Sequence, residues 1–106
     1  EINLLLLQAY TAIKQFQKVE QKATDALELY PAQAELYYYL GLAINQLQQF
    51  GKAKEVLETG FDFVIDNLDL EINFNLQLAE AYNGLADFKK KELYFAKANQ
   101  LAKQKK

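Results

Sequence analysis

The stretch Tyr37-Tyr38-Tyr39-Leu40-Gly41-Leu42-Ala43-Ile44-Asn45-Gln46-Leu47 decides how the chain is read. Tyr37, Leu40, Ile44 and Leu47 recur at three- and four-residue intervals, which puts apolar side chains on one helix face. The same spacing runs almost everywhere outward from this stretch, and no segment sustains a two-residue alternation. Six helices follow, near 2–14, 17–30, 34–47, 51–66, 70–85 and 88–103, with Pro31, Gly51 and Gly84 read as punctuating their ends. They form three pairs because the sequence repeats itself. Leu6, Leu40 and Leu78 share one column, and Tyr10, Ile44 and Tyr82 a second. Phe16, Phe50 and Phe88 make a third, and Ala26, Gly60 and Ala98 a fourth. Every column steps by 34 residues and then by 38. A period of that size marks units that each bury a face against the next.

The 106 residues are one domain's worth, and 51% hydrophobic with 25% charged residues is an ordinary globular balance. Cys, His, Ser, Met, Trp and Arg are all absent. No disulfide framework or thiolate chemistry is available, and the usual nucleophile–base pairs cannot be assembled. These absences argue against an enzyme. No apolar run is long enough to span a membrane, and Leu4-Leu5-Leu6-Leu7 is too short for a signal-peptide core. The missing Met, with a helical pattern from the first residues, reads as a piece of a longer protein.

In the middle unit Tyr37, Leu40-Gly41, Ile44, Phe50 and Ala53 stand at the spacing of the tetratricopeptide repeat family. The first unit adds Leu6, Tyr10, Phe16 and the closing segment Ala26-Leu27-Glu28-Leu29-Tyr30-Pro31; the third adds Leu78-Ala79, Tyr82, Phe88, Phe95 and Ala98. The chain resembles that family over essentially its whole length. The resemblance implies an all-α solenoid in a single domain spanning 1–106. Three antiparallel helix–turn–helix repeats, about 1–33, 34–67 and 70–104, would form a short right-handed superhelix. Gly41 with Ala53 supplies the small residues that closely crossing helices need.

The departures from the pattern carry expectations of their own. Leu7 replaces a small residue and faces Val19, so the first pair should pack further apart. Lys91 stands where the third unit should have Ala, and its stem is expected to lie on apolar surface while the ammonium reaches water. Ile65 stands in place of a closing Pro and four extra residues follow, so the helix ending near Asp66 should run about one turn longer.

Glu55, Glu58, Asp62 and Asp66 fall on one side of the predicted fourth helix, but one helix face cannot wrap a cation, so they read as a solvated face. Glu80 is the one carboxylate placed among apolar neighbours, without the convergent partners that catalysis needs. Thr11, Thr24 and Thr59 have no adjacent base. Residues 55–87 hold eight acidic residues and no Lys, whereas residues 89–106 hold seven Lys and one Glu. With no Arg and a net charge of −2, a nucleic-acid partner is not expected.

The stronger candidate is a surface. The resemblance implies that the first helix of each pair lines a concave groove. Carried onto this chain, the lining is Leu4, Leu5, Gln8, Thr11, Tyr38, Tyr39, Leu42, Asn45, Gln46, Leu76, Gln77, Glu80 and Asn83. Tyr38, Tyr39 and Leu42 are the expected anchors, and Asn45, Gln77 and Asn83 the orienting amides. At the sites where chaperone-binding relatives clamp a terminal carboxylate stand Leu4, Gln8, Tyr39, Asn73 and Gln77, with no cation among them. A protein or peptide partner without an acidic terminus is the expected ligand, and no cofactor is implied. Three alternatives stay open: packing against further repeats of the same protein, homodimer formation through the exposed faces of the terminal repeats, and a regulatory segment attached to an enzyme domain upstream.

Overall fold

The computed structural model describes residues 4–105, and those residues hold helices and turns but no strand. The six helices are α1 (Leu4–Ala12), α2 (Phe16–Leu29), α3 (Ala34–Gln46), α4 (Phe50–Phe61), α5 (Leu68–Gly84) and α6 (Phe88–Ala102). Among the described residues each helix packs only on helices one or two places along the chain: α1 on α2 and α3, α2 on α3, α3 on α4 and α5, α4 on α5, and α5 on α6. Two apolar clusters result. The first centres on Leu7, Val19, Ala23, Leu36, Leu40, Ile44 and Ala53, and the second on Leu57, Leu70, Phe74, Leu78 and Tyr82. The Leu40 and Leu78 column is buried as its spacing requires, whereas Leu6 is 39% exposed and Phe88 is 59% exposed.

One turn occurs three times. Gln15, Gln49 and Asp87 donate their backbone N–H groups to Tyr10, Ile44 and Tyr82 carbonyls at 2.9, 3.0 and 2.9 Å. The residue before each donor, Lys14, Gln48 or Ala86, is left-handed with φ of 63°, 64° and 60°. This is the Schellman closure of a helix, in which a left-handed residue lets the following N–H reach back across the last turn. Glycine normally takes that position because it has no Cβ to clash. Here three other residue types hold it.

Gly51 is the second residue of α4 and Gly84 the last of α5, so both stand at helix ends as expected, although with ordinary φ neither supplies the left-handed turn. One expectation is corrected at this level. The four extra residues do not lengthen the fourth helix, which stops at Phe61. They add a turn to the start of α5 instead. Asp66 is left-handed at φ 49°, and the Asn67 side chain accepts the Leu70 N–H at 3.0 Å, with Asp69 and Glu71 in the first turn. A capped start with carboxylates near the positive end of the helix dipole outcompetes continuation of α4 through Ile65.

Three of the four glycines admit neighbours. A Cβ built on Gly41 would fall within the Leu57 side chain, one on Gly84 within the Phe50 ring, and one on Gly60 onto Cβ and Cγ of Tyr37. At Gly60 the obstacle sits next to the α3 backbone and cannot swing away. Ala in a helix interior is favoured over Gly by roughly 1 kcal/mol, while overpacking costs about 1–3 kcal/mol, so the clash should win. Gly60→Ala is therefore expected to lower the thermal midpoint. Gly51→Ala, which meets nothing within 4 Å, should raise it. Thermal unfolding followed by circular dichroism checks both signs, and a midpoint raised by Gly60→Ala would sink the close-packing account.

Candidate functional site

The expected groove residues come from α1, α3 and α5, and the structure sorts them into three environments. On α1, Leu5 is 74% exposed and Gln8 is exposed, while Leu4 and Thr11 are half-buried. The Thr11 hydroxyl donates to the Leu7 carbonyl at 2.7 Å, so its proton is engaged within the helix. On α3 the two tyrosines are half-buried. Their rings meet edge to face at 5.1 Å, and Tyr38 also leans on the buried Phe74 at 6.2 Å. Burial, and then the neighbouring Tyr39, raises the Tyr38 phenol pKa; burial and then Glu35 raises that of Tyr39. The Tyr38 ring is partly consumed in holding α5, and Leu42 nearby is half-buried as well.

Asn45 departs from its expected role. It is 3% exposed, and its Nδ2 donates to both the carbonyl and Oε1 of Gln77 at 3.0 Å. It is a clasp between α3 and α5 rather than an amide offered to a ligand. Its Oδ1 has no hydrogen-bond partner.

Five of the expected residues do converge. Gln46, Leu76, Gln77, Glu80 and Asn83 line one cleft of about 400 Å³ together with Ala79, Lys91 and Phe95. The helical spacing of Leu76, Glu80 and Asn83 puts them on one face of α5, and the end of α3 brings Gln46 to them. The α1 residues and the two tyrosines are not in this cleft. Lys91 and Phe95 come from α6, which the first-helix rule omits. Lys91 was visible in the sequence as a cation in a place meant for a small residue, and its half-buried position agrees with a stem lying on apolar surface. Chemically the cleft offers amides, a carboxylate, an ammonium and two apolar walls, a set suited to holding an extended chain.

The other charged residues are partly engaged inside the molecule. Glu58 accepts the Tyr82 hydroxyl at 2.8 Å, and because α4 ends at Phe61, Asp62 and Asp66 lie beyond it. All four carboxylates of the expected row are exposed, but only Glu55 and Glu58 lie on α4. Lys90 and Lys97 sit over the Tyr82 and Tyr94 rings at 5.4 and 5.0 Å, and Lys105 pairs with Asp69. No group of three or more acidic side chains that could hold a metal occurs among the described residues. None of the described helices is long and apolar enough to cross a membrane. No protein-family model matches the chain, and no curated protein matches it.

The tyrosines make stability pH-dependent. Burial raises the phenol pKa of Tyr38, Tyr39, Tyr82 and Tyr94, with the Glu58 hydrogen bond adding at Tyr82. Each neutral phenol is therefore favoured in the folded chain, while in the unfolded chain it ionises near about pH 10. Above that pH the unfolded state binds fewer protons, so stability, complete below it, falls as pH rises. Urea midpoints should be level from neutral pH to about 9.5 and drop steeply beyond, with a shallower drop in Tyr82→Phe. Identical slopes for the two proteins would contradict this assignment.

Proposed function

We propose that the chain is a non-catalytic interaction module, a stack of three helix–turn–helix units of the tetratricopeptide type wound into a short right-handed superhelix. On this reading a peptide or partner helix lies where α3 and α5 run side by side. The neighbour-only packing order, the thrice-used turn and the columns spaced by 34 and 38 residues support the stack. The observation that carries the function is the cleft of about 400 Å³, where Gln46, Gln77 and Asn83 put amide groups beside Leu76 and Phe95. Amides can pair with a peptide backbone while the apolar pair takes a side chain. No reactive constellation accompanies them, and binding is the whole activity.

The test is selection of peptides from a displayed library on the 106-residue chain, followed by nuclear magnetic resonance mapping of the selected peptides. Shifts concentrated at Gln46, Gln77, Glu80, Asn83 and Phe95, and lost in Leu76→Glu, are expected. Shifts elsewhere, or unchanged affinity in that variant, would overturn the groove.

Self-association is a second reading, favoured by apolar residues exposed on or just after the first helix and on the last. Leu5 and Ile13 are 74% and 64% exposed, and Phe88 and Leu93 are 59% and 50% exposed. Sedimentation equilibrium decides it: a mass that rises with concentration supports assembly, and a constant monomer mass removes it.

A further inference from the structure

The chain contains its own pattern for stacking one helix pair on the next. Where α5 covers α4, Gly84 lies against the Phe50 ring, Phe74 packs on Phe61 at 5.4 Å, and Ala81 has no exposed surface. Where the second pair meets the first, Lys52 on α4 bonds to Glu20 on α2 at 3.2 Å. The columns that step by 34 and then 38 residues carry these positions to both ends of the molecule.

At one end, Phe88 and Phe95 on α6 stand for Phe50 and Leu57. They are 59% and 46% exposed, whereas Phe50 is half-buried and Leu57 has no exposed surface. At the other end, Leu6 and Ala9 on α1 stand for Leu78 and Ala81 on α5. Leu6 is 39% exposed and Ala9 is exposed, whereas Leu78 is 1% exposed. These faces are the two halves of one interface: α6 offers what α4 offers to α5, and α1 offers what α5 offers to α4. Ala12 takes the place of Gly84. The second pair carries Gln46 there and α3 still packs on α2, so a side chain at that place does not bar the approach.

Charge matches as well. The Lys52–Glu20 bond joins a Lys of the later pair to a Glu of the earlier one. Between the second and third pairs the same two places hold Lys90 and Lys54, both cations, and Lys90 lies over the Tyr82 ring at 5.4 Å. On the uncovered face of the third pair the place of Glu20 is held by Glu92, which is exposed. On the uncovered face of the first pair the place of Lys52 is held by Lys18, exposed and resting over the Tyr10 ring at 5.8 Å. The outgoing carboxylate and the incoming ammonium are therefore restored only where the end of one chain meets the start of another.

We propose that copies of this chain stack head to tail, with α6 of one copy packed on α1 of the next and Glu92 bonded to Lys18 across the joint. The proposal rests on the self-association reading and gives it a direction. Unlike faces meet, so the contact does not close on itself and copies add in open rows.

The test is sedimentation equilibrium on the 106-residue chain and its variants. The unaltered chain should exceed the mass of a dimer as concentration rises. Phe88→Glu blocks the α6 face and Ala9→Glu the α1 face, and each alone should be a monomer. Both sites are exposed within one copy, so both variants keep the fold, which circular dichroism checks. Mixed in equal amounts, they retain one good face each and should give the mass of two chains and no more. Lys18→Glu and Glu92→Lys should each weaken association about fivefold, and the two together in one chain should restore it. A constant monomer mass for the unaltered chain would remove self-association altogether. Association that survives Phe88→Glu or Ala9→Glu, a mixture that stays monomeric, or a double charge reversal as weak as the single ones would overturn head-to-tail stacking while leaving self-association in place.

Discussion

Phe74→Ala is expected to remove about 3–5 kcal/mol of folding stability, the usual cost of deleting a fully buried aromatic ring. Phe74 has no exposed surface and sits on α5, yet its ring partners are on other helices: Phe61 at 5.4 Å on α4 and Tyr38 at 6.2 Å on α3. It is the peg that fixes α5 to the preceding pair. A domain of this size has roughly 5–15 kcal/mol in total, so the loss is a large share of what holds the fold. Collapse around the site is the one relief available, and it is restricted because Leu57, Leu78 and Tyr82 in the same cluster are themselves packed. Urea unfolding followed by circular dichroism measures the effect. Phe88→Ala, which truncates a ring 59% exposed, serves as the control and should change stability by less than about 0.5 kcal/mol. Equal losses for the two variants would mean that α5 is not held by this ring.

The helices were legible because their signal is redundant. Leu40 and Ile44 or Leu78 and Tyr82 recur at helical spacing, and a single unusual residue does not erase such a stripe. Their ends were less legible for a specific reason. The left-handed turn positions carry Lys14, Gln48 and Ala86, none of which announces that backbone, whereas Gly51 and Gly84 stand at helix ends with ordinary φ and do not make the turn. Gly serves both left-handed turns and close approach, and one sequence does not say which. The four-residue insertion was legible as a length but not as a place. Ile65 continues an apolar pattern, and only the Asn67 cap with Asp69 and Glu71 behind it marks where α5 begins.

The candidate site divides in the same way. Leu76, Glu80 and Asn83 could be placed together because they share one helix face, a local property. Phe95 could not, because it reaches the cleft through the packing of α6 on α5. Tyr38 was placed on the correct helix, but its loss of exposure to Phe74 depends on a contact 36 residues away. Spacing identifies a face, and the packing of the next helix determines how much of that face remains available.

Asn45 puts that distinction to its sharpest test. Asn45→Asp keeps the shape of the side chain and exchanges the Nδ2 donor for an oxygen that faces the carbonyl and Oε1 of Gln77. Two hydrogen bonds become repulsive contacts, and a carboxylate is left in a site 3% exposed. Losing the two bonds alone costs about 1–3 kcal/mol, and an unpaired buried charge adds more, so a loss of at least about 3 kcal/mol is expected at pH 7. The pH dependence separates this from simple misfit. Burial and the facing oxygens favour the protonated acid, which lifts its folded pKa above the unfolded value of about 3.9. Below that value both states are protonated and the O–H restores a donor toward Gln77, so the deficit relative to the unaltered chain should be small. As pH rises through the raised folded value the deficit should grow to its full size. Asn83→Asp makes the same exchange at the matching register position on α5, where the side chain is exposed, and should cost less than about 0.5 kcal/mol. Urea midpoints for the three proteins at pH 3.5, 5 and 7 decide the matter. A deficit in Asn45→Asp that is small, or equal at every pH, would return Asn45 to the set of side chains free to meet a ligand.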